Sequence, residues 1–141
     1  MTQEEKDLLL KDLCARLPYG VKVLCLRDFN HTCYNLEMID IGDNEVYLTT
    51  NEPDINRYSE IEAVKPYLFP MSSMTEEQQI DLTKYLDARV FVKGEISFQC
   101  LFANTMDRWE KVFEWCDKNH FDYRGLIPMG LANDATGKDI Y

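Results

Sequence analysis

Apolar side chains recur at spacings of three and four in the last third of the chain, which predicts an amphipathic helix from about Asn104 to Lys118. One face of this helix is apolar, with Phe102, Met106, Trp109, Val112, Phe113 and Cys116. The other face is polar, with Asp107, Arg108, Glu110, Lys111, Glu114 and Asp117. We expect this helix to be the main one that packs on a sheet.

The ends and the core of this helix can also be predicted. Asn104 or Thr105 offers a side-chain oxygen that can cap a free amide of the first turn. Asn119 tolerates the left-handed backbone conformation that ends many helices. Because aromatic side chains bury about 150–250 Å² each, we expect Trp109 to be a core residue. Its replacement by alanine would then cost about 3–5 kcal/mol.

Two more helices are predicted from capping patterns. Thr2 and Glu5 fit a capping box, and Leu17-Pro18-Tyr19-Gly20 ends the helix that follows because proline cannot continue the hydrogen-bond ladder. This helix has an apolar side with Leu9, Leu10, Leu13, Cys14 and Leu17, and a polar side with Lys6, Asp7, Lys11 and Asp12. A second helix begins where two capping patterns overlap in residues 73–78 and runs to about Leu86.

The pattern between the first two helices is typical of strands. Val21–Arg27 is predicted to be a strand that is buried on both faces. Cys33–Ile41 is a second strand whose alternation is imperfect, and Glu45–Thr50 returns beside it with Val46 and Leu48 on one face. The turn Gly42-Asp43-Asn44 favours antiparallel pairing of these two strands.

Other segments are less regular. Residues 51–59 are polar and predicted to be irregular, and Ile61–Val64 is a short strand or a turn. Arg89–Lys93 is either a strand or a continuation of the second helix, and Glu95–Cys100 is a further short strand.

The segment Lys65–Met74 is predicted to be extended because Pro66 and Pro70 exclude a helix. Large apolar side chains lie between and beside the two prolines. An extended apolar segment of this kind either crosses the core or offers a groove. Tyr67 and Phe69 are therefore candidates for an interaction surface.

These elements together predict the α+β class, with a small antiparallel sheet packed with about three helices in a single layer. The 141 residues fit one domain. Pro128 and Gly130 interrupt regular structure, so residues 128–141 are expected to form a mostly irregular C-terminal tail.

The formal net charge of −10 argues against direct binding of nucleic acid or anionic membranes, because phosphate groups are bound by lysine and arginine. The acidic residues are concentrated in the stretch from 37 to 62, where Arg57 is the single base. This stretch is a solvated surface, a cation site, a surface for a basic protein partner, or a mimic of nucleic acid. Its carboxylates are Glu37, Asp40, Asp43, Glu45, Glu52, Asp54, Glu60 and Glu62.

The cellular compartment can be predicted from the cysteines and from the start of the chain. The five cysteines have no paired spacing, and the acidic start of the chain lacks the order of a signal peptide. No apolar run approaches the roughly 18 residues of a membrane span. We therefore expect a cytoplasmic protein with free, mostly buried thiols and no membrane association.

Asp122, Tyr123 and Arg124 form the best candidate site. A carboxylate, a phenol and a guanidinium within three residues can anchor a polar ligand. They can equally lock the tail in place. In that case Asp122 pairs with Arg124 or a backbone amide, Arg124 binds helix carbonyls, and Gly125 takes a positive φ.

Other chemical groupings are weaker. His31-Thr32-Cys33 offers a thiol beside a base, but a zinc site needs four ligands and the only other histidine is His120. Residues 40–45 lack the order of a calcium loop, and Ser72-Ser73 lacks the context of a nucleophile elbow. We therefore expect no catalytic residue, metal or cofactor.

The segment Lys65–Glu77, which contains Lys65-Pro66-Tyr67-Leu68 and Ser72-Ser73-Met74-Thr75, resembles a motif of an uncharacterised family of small proteins from gut Bacteroidetes and their prophages or mobile elements. Asn119–Ile127 and Asp134–Gly137 resemble the family's C-terminal ending, and Leu17–Val23 its N-terminal segment. Phe69 departs from the basic residue that follows the leucine in the family motif. The resemblance implies a bacterial cytoplasmic setting and supplies no activity.

The sequence thus favours a non-catalytic protein that binds another protein, as an accessory of a mobile element or prophage. One alternative is a small enzyme that uses residues 122–125 or a Cys/His pair. Another is an acidic mimic of nucleic acid that inhibits a DNA-binding protein. The sequence predicts no oligomeric state.

Overall fold

The computed structural model describes residues 1–86, 91–92, 95–96 and 106–141. These residues form three α-helices, α1 (Gln3–Arg16), α2 (Glu76–Tyr85) and α3 (Met106–Lys118). They also form nine strands, β1 (Lys22–Cys25), β2 (Cys33–Asp40), β3 (Glu45–Thr49), β4 (Arg57–Glu60), β5 (Val64–Pro70), β6 (Phe91–Val92), β7 (Glu95–Ile96), β8 (Phe121–Asp122) and β9 (Asn133–Asp134). The predicted α+β class is confirmed.

Seven of these strands form one sheet in the order β4-β3-β2-β1-β5, with β8 and β9 both paired to β5. The first five strands are joined by antiparallel pairings. Both C-terminal strands pair with β5 in parallel, so the sheet is mixed. Parallel pairing needs a long crossover connection, and α2 and α3 lie in the connection between β5 and β8. Strands β6 and β7 form a separate antiparallel pair.

The sheet curls so strongly that the end of β1 approaches β4, although β2 and β3 lie between them in the strand order. The sulfur of Cys25 lies 3.4 Å from the hydroxyl oxygen of Ser59. Arg27, which follows β1, forms an ion pair with Glu60 of β4 at 3.1 Å. The curled sheet therefore has a concave inner face and a convex outer face.

A β-bulge in β2 accounts for part of this curl. The pairing of β2 with β3 shifts between Leu36 and Met38, which leaves Glu37 as the extra residue. A bulge bends its strand and increases the local twist. It also reverses the phase of the alternation: Leu36 is buried on the inner face, whereas Met38 points outward and Ile39 packs against the core. The imperfect alternation of this strand in the sequence is the trace of the bulge.

The core has two parts. The first lies between α1 and the inner face of the sheet, where Leu9 and Leu13 of α1 contact apolar side chains of the strands and of the C-terminal turns. The second lies between α2, α3 and β8, and its buried members are Leu82, Leu86, Val112, Trp115, Cys116 and Phe121. The helices thus cover the inner side of the sheet and one of its ends.

The predicted helix starts at Thr2 and Thr75 are confirmed. Thr2 and Glu5 form a capping box, and Thr75 forms another with Gln78. Helix α1 ends at Arg16 and is followed by a 3₁₀ turn, after which Gly20 has φ +71°. Only glycine adopts this conformation without a steric penalty.

Expectations about the core face of α3 need correction. Trp115 is the buried tryptophan, with 1% of its surface exposed, whereas Trp109 is partly buried and Phe113 is 38% exposed. The position of β8 and α2 decides this, because the Trp115 ring stacks on Phe121 with centroids 5.4 Å apart. The Trp115 indole N–H donates to the carboxylate of Asp81 at 2.9 Å.

The end of α3 also differs from the expectation. The residue with positive φ is His120, at +63°, and not Asn119. Asn119 instead donates its side-chain amide to the carbonyl oxygen of Trp115 at 2.9 Å. The predicted helix start at Asn104 or Thr105 and residues 97–105 in general lie outside the described residues.

The strand predictions need two corrections, and one residue of α1 also differs from the expectation. β1 is buried on alternate residues and not on both faces. Residues 57–60 form β4, although the sequence indicates an irregular segment there. Cys14, expected on the apolar side of α1, is exposed.

No helix in the described part of the chain has the length and apolar character needed to cross a membrane.

The burial difference between the two tryptophans predicts a difference in stability. Trp115→Ala should lower the free energy of unfolding by about 3–5 kcal/mol, because it removes a large buried side chain. Trp109→Ala, at a partly exposed position, should cost clearly less. Urea denaturation followed by circular dichroism measures both values, and equal losses for the two variants would contradict this assignment of the core.

Candidate functional site

Asp122 holds a turn together. Its two carboxylate oxygens accept the backbone N–H groups of Leu126 and Ile127, each at 2.8 Å. Gly125 within this turn has φ +78°, as predicted for the structural alternative. The carboxylate is buried, so Asp122 stabilises the segment that leads to the C-terminal turns.

Arg124 binds two carboxylates. One of its terminal nitrogens, Nη1, lies 2.7 Å from Asp12 Oδ1 and 3.0 Å from Asp117 Oδ1. The sequence places both aspartates on polar helix faces, yet both are buried. Burial alone would lower the pKa of Arg124, but Asp117, Tyr123 and Asp12 together outweigh it and the pKa is raised. The expected contact of Arg124 with helix carbonyls is not among its described contacts.

Those helix carbonyls are bound by Arg16, which is completely buried. Its Nε donates to both oxygens of Asp12, at 3.0 and 2.9 Å. Its terminal nitrogens donate to the carbonyl oxygens of Cys116, at 3.2 Å, and Phe121, at 2.7 Å. This one side chain therefore joins α1, the end of α3 and β8.

Asp12, Arg16, Asp117 and Arg124 form a cluster of two positive and two negative charges, which we call the buried charge cluster. Removing charges from water is costly, and the cost is recovered only where each charge has close partners. The contacts within the cluster are of that kind. The cluster therefore holds the helices and the C-terminal segment together, and its charges are already neutralised by one another.

Tyr123 lies beside this cluster. Its hydroxyl donates to Asp117 Oδ2 at 3.2 Å, and its ring stacks on Phe113 with centroids 4.6 Å apart. The guanidinium of Arg124 lies 4.3 Å from the centre of the Tyr123 ring. Burial raises the pKa of Tyr123 above the ordinary value, so the phenol stays neutral at neutral pH.

Tyr67 and Phe69 lie on β5, next to the C-terminal segment. Phe69 is opposite Phe121 in the parallel pairing, and its N–H donates to the carbonyl oxygen of His120 at 2.8 Å. The carbonyl oxygen of Tyr67 accepts the hydroxyl of Tyr141 at 2.7 Å. The structure thus brings Phe69 close to the 121–124 segment, whereas Tyr67 lies opposite Asn133.

The cysteines and histidines are poorly suited to nucleophilic chemistry. Burial raises the pKa of the Cys33 thiol, and it raises that of Cys116 to about 12. His31 is exposed, whereas His120 is buried, and burial lowers the pKa of His120 to about 4. The cysteines of the described residues are free thiols, of which Cys25 and Cys116 are buried. Within the same residues, no three metal-binding side chains are grouped closely enough to hold an ion.

The outer face of β2, β3 and β4 carries a feature that the sequence analysis missed. Val46, Leu48 and Ser59 are buried on the inner face, so the residues that alternate with them point outward. The register aligns Met38, Tyr47 and Tyr58 directly across the three strands. The rings of the two tyrosines have centroids 4.8 Å apart. We call these three residues the aromatic row.

A second row lies two residues along each strand. Asp40 pairs with Glu45, and Glu45 pairs with Glu60, so three carboxylates lie side by side on the outer face. We call them the carboxylate row. Asp40 accepts the N–H of Asp43 at 3.1 Å, and Glu60 forms an exposed ion pair with Arg27 at 3.1 Å. No cation among the described residues is paired with Glu45.

The remaining carboxylates of the 37–62 stretch are dispersed. Glu62 points toward α1 and forms an ion pair with Lys6. The hydrogen bonds of Lys6 and Asn44 lower the pKa of Glu62 to about 2. Asp43, Glu52 and Asp54 lie in the connections between strands. The stretch is therefore not one continuous acidic surface.

A groove with a volume of about 350 Å³ runs beside β4 and borders both rows. Its lining residues are Arg27, Glu45, Arg57, Tyr58, Ser59 and Glu60. The candidate site thus consists of the outer face of β2–β4 and the groove at its edge. The sequence of β4 carries no clear signal for it, since Tyr58 is the single apolar residue of Arg57-Tyr58-Ser59-Glu60 and it faces outward, whereas Ser59 is buried.

Comparison with known proteins gives no family for this chain. A scan against models of protein families, a search of curated proteins and a search of solved structures each found no match.

The buried charge cluster predicts a large effect of losing one charge. Arg16→Met should lower the free energy of unfolding by about 3–5 kcal/mol, because it leaves buried carboxylates and carbonyls without their donor. Arg27→Met is the matched control, since it removes an exposed ion pair that should contribute about 0–1 kcal/mol. Urea denaturation of both variants measures the difference, and similar midpoints would show that the cluster does not stabilise the fold.

Burial of His120 predicts a pH dependence of stability. Its pKa is about 4 in the folded protein, below the ordinary value of 6.5, so the unfolded chain binds more protons between these values. The contribution is complete above pH 6.5 and is lost as the pH falls toward 4. At about 1.4 kcal/mol for each pKa unit, the total is on the order of 3 kcal/mol.

The substitution His120→Asn tests this dependence, because asparagine tolerates the positive φ of this position. The difference in unfolding free energy between the wild type and the variant should change across that pH range. His31→Asn is the control, since His31 also has a positive φ but is exposed. A pH profile for His120→Asn that runs parallel to the wild type would refute the assignment.

Proposed function

We propose that this chain is a non-catalytic protein that binds another protein through the outer face of β2–β4. The observation that carries the proposal is the aromatic row, which none of the described residues covers. Tyr58 is 58% exposed and Met38 is 43% exposed. Tyrosine and methionine are enriched in the contact surfaces of protein complexes. A row of three such side chains on one open sheet face is therefore a suitable docking surface.

The contacts of the other candidate residues support a non-catalytic role. Both oxygens of Asp122 are occupied by backbone amides. Arg124 is bound by two buried carboxylates, and Tyr123 is a neutral phenol. A general base or a ligand anchor needs a free lone pair or donor that faces a substrate. The 122–124 segment uses its groups to stabilise the fold instead.

The setting of this function is part of the proposal. The resemblance of the Lys65–Glu77 and Asn119–Ile127 segments to proteins of gut Bacteroidetes supports an accessory role for a mobile element or prophage in the bacterial cytoplasm. Partner binding is a common task for small accessory proteins without an active site.

A second candidate function uses the same face. The three aligned carboxylates favour a mimic of nucleic acid, because they repeat a negative charge along one line across neighbouring strands. Such a mimic would bind a DNA-binding protein in competition with DNA. The dispersed positions of Asp43, Glu52, Asp54 and Glu62 make the mimicry less extensive than the charge of the stretch indicates.

Site-specific photocrosslinking tests the proposed function. The photoreactive amino acid benzoylphenylalanine replaces Tyr58, and the full chain is incubated with a lysate of the source cells. We expect one discrete adduct with another protein, because Tyr58 lies in the proposed docking surface. The adduct is resolved by gel electrophoresis and its partner is identified by mass spectrometry.

Met129 is the matched control position, since it is 45% exposed and lies in a C-terminal turn away from the aromatic row. Adducts that are absent at position 58, or that are the same at both positions, would argue against the proposal. Addition of duplex DNA separates the two candidate functions, because only the partner of a nucleic-acid mimic is displaced by it.

A further inference from the structure

We infer that the partner supplies an extended, basic segment that pairs with the free edge of β4 and places a lysine or arginine against the carboxylate row. This inference rests on the proposed function and specifies the chemistry of the partner. Two observations carry it: the backbone groups at the edge of β4 and the alignment of three like charges.

The edge of β4 offers free hydrogen-bonding groups. β4 is the last strand of its sheet, and among the described residues only β3 pairs with it. The N–H of Ile61 donates to the carbonyl oxygen of Asn44 at 3.2 Å. Bonded pairs alternate along an antiparallel ladder, so residues 59 and 57 also bond to β3. The N–H and C=O groups of Tyr58 and Glu60 therefore point away from the sheet.

The carboxylate row makes a basic partner favourable. Like charges directly opposite each other on neighbouring strands destabilise a sheet, and Asp40, Glu45 and Glu60 repeat this arrangement twice. Arg27 neutralises Glu60 only in part, because both side chains of that ion pair are mostly exposed. A cation on an added strand would lie next to Glu60 and would relieve the repulsion along the row.

A second copy of this chain does not fit the edge as well. The net charge of −10 opposes self-association, and an added copy of β4 would bring further carboxylates to the same face. Charged residues on short edge strands protect proteins against such pairing. A basic segment has the complementary charge and gains from the same residues.

The geometry also specifies the pattern of the partner segment. Side chains alternate along a strand, so outward residues of the partner are two positions apart. The residue opposite Glu60 extends the carboxylate row, and the one opposite Tyr58 extends the aromatic row. An antiparallel partner strand therefore has lysine or arginine followed two residues later by an apolar or aromatic residue. Strand addition of this kind is a general mode of peptide recognition.

Synthetic peptides test the inference. The probe is a capped peptide of sequence Lys-Thr-Val-Thr-Lys-Thr-Val-Thr-Lys, and two counterparts carry glutamine or glutamate in place of every lysine. Binding is followed by fluorescence anisotropy and by the amide shifts of the ¹⁵N-labelled protein. We expect the lysine peptide to bind at least about threefold more tightly than the glutamine peptide, since each opposite-charge cross-strand pair adds a fraction of a kcal/mol. The difference should shrink at high salt, and the shifted amides should be those of β4 and its neighbours.

Two variants separate binding from folding. Glu45→Gln should weaken binding of the lysine peptide about twofold or more, while the urea midpoint stays the same or rises, because a like-charge contact is removed. A purely structural role of Glu45 would lower the midpoint instead. Tyr58→Pro removes an edge N–H and Tyr58→Val keeps it, so the proline variant should bind more weakly than the valine variant. If the proline variant does not fold, the comparison of the peptides still decides.

The results of the peptide and crosslinking experiments separate failure of this inference from failure of the proposed function. Preferential binding of the lysine peptide at the β4 edge supports the inference. Equal binding of all three peptides, or shifts confined to another surface, overturns it and leaves the proposed function in place. Absence of peptide binding together with a discrete adduct at position 58 also overturns the basic-segment inference alone. Only the crosslinking experiment bears on the proposed function itself.

Discussion

The buried guanidinium of Arg16 is the interaction on which the rest of the structure depends. It links the first helix to the carbonyl oxygen of Cys116, 100 residues further along the chain, and to that of Phe121. A buried guanidinium without partners would be strongly destabilising. The first helix therefore reaches its place only when the last third of the chain is also in place. Contacts of such high sequence separation are typical of domains that fold slowly.

Local chemistry made much of the fold predictable. The capping boxes at Thr2 and Thr75, the stop at Gly20 and the hairpin around residues 42–44 depend on neighbouring residues only. The burial of Asp12 was not predictable in this way. Hydrophobic periodicity assigns a charged residue to the surface. The two arginines that bind the Asp12 carboxylate are Arg16, four residues away in the same helix, and Arg124, in a distant segment.

The candidate site also combines features that neighbouring residues make predictable with features that depend on distant residues. The residue types along the sequence point to residues 122–124, because polar groups that are close in sequence are easy to recognise. The aromatic row becomes visible only when the register of three strands is known. The burial of Trp115 in place of Trp109 has a similar reason, since the position of Phe121 and of α2 selects between two residues on one helix.

Because the sheet is curled, its inner face and its outer face have different roles. The inner face and α1 form the core, and most of the stability of the fold is concentrated there. The outer face of β2–β4 is left with side chains that contribute little to this core, and one of its rows opposes the fold through repulsion. A surface that retains unfavourable like-charge neighbours is easier to understand if those charges act on something outside the chain.

The bulge at Glu37 has a consequence for how this chain can change during evolution. Loss of Glu37 would leave Leu36 and Ile39 facing inward and Met38 facing outward, but it would remove the bulge and with it part of the bend of β2. Insertions and deletions in this strand are therefore selected against, because they change the curvature of the whole sheet. Across descendants of this lineage, the number of residues in β2 should therefore be preserved.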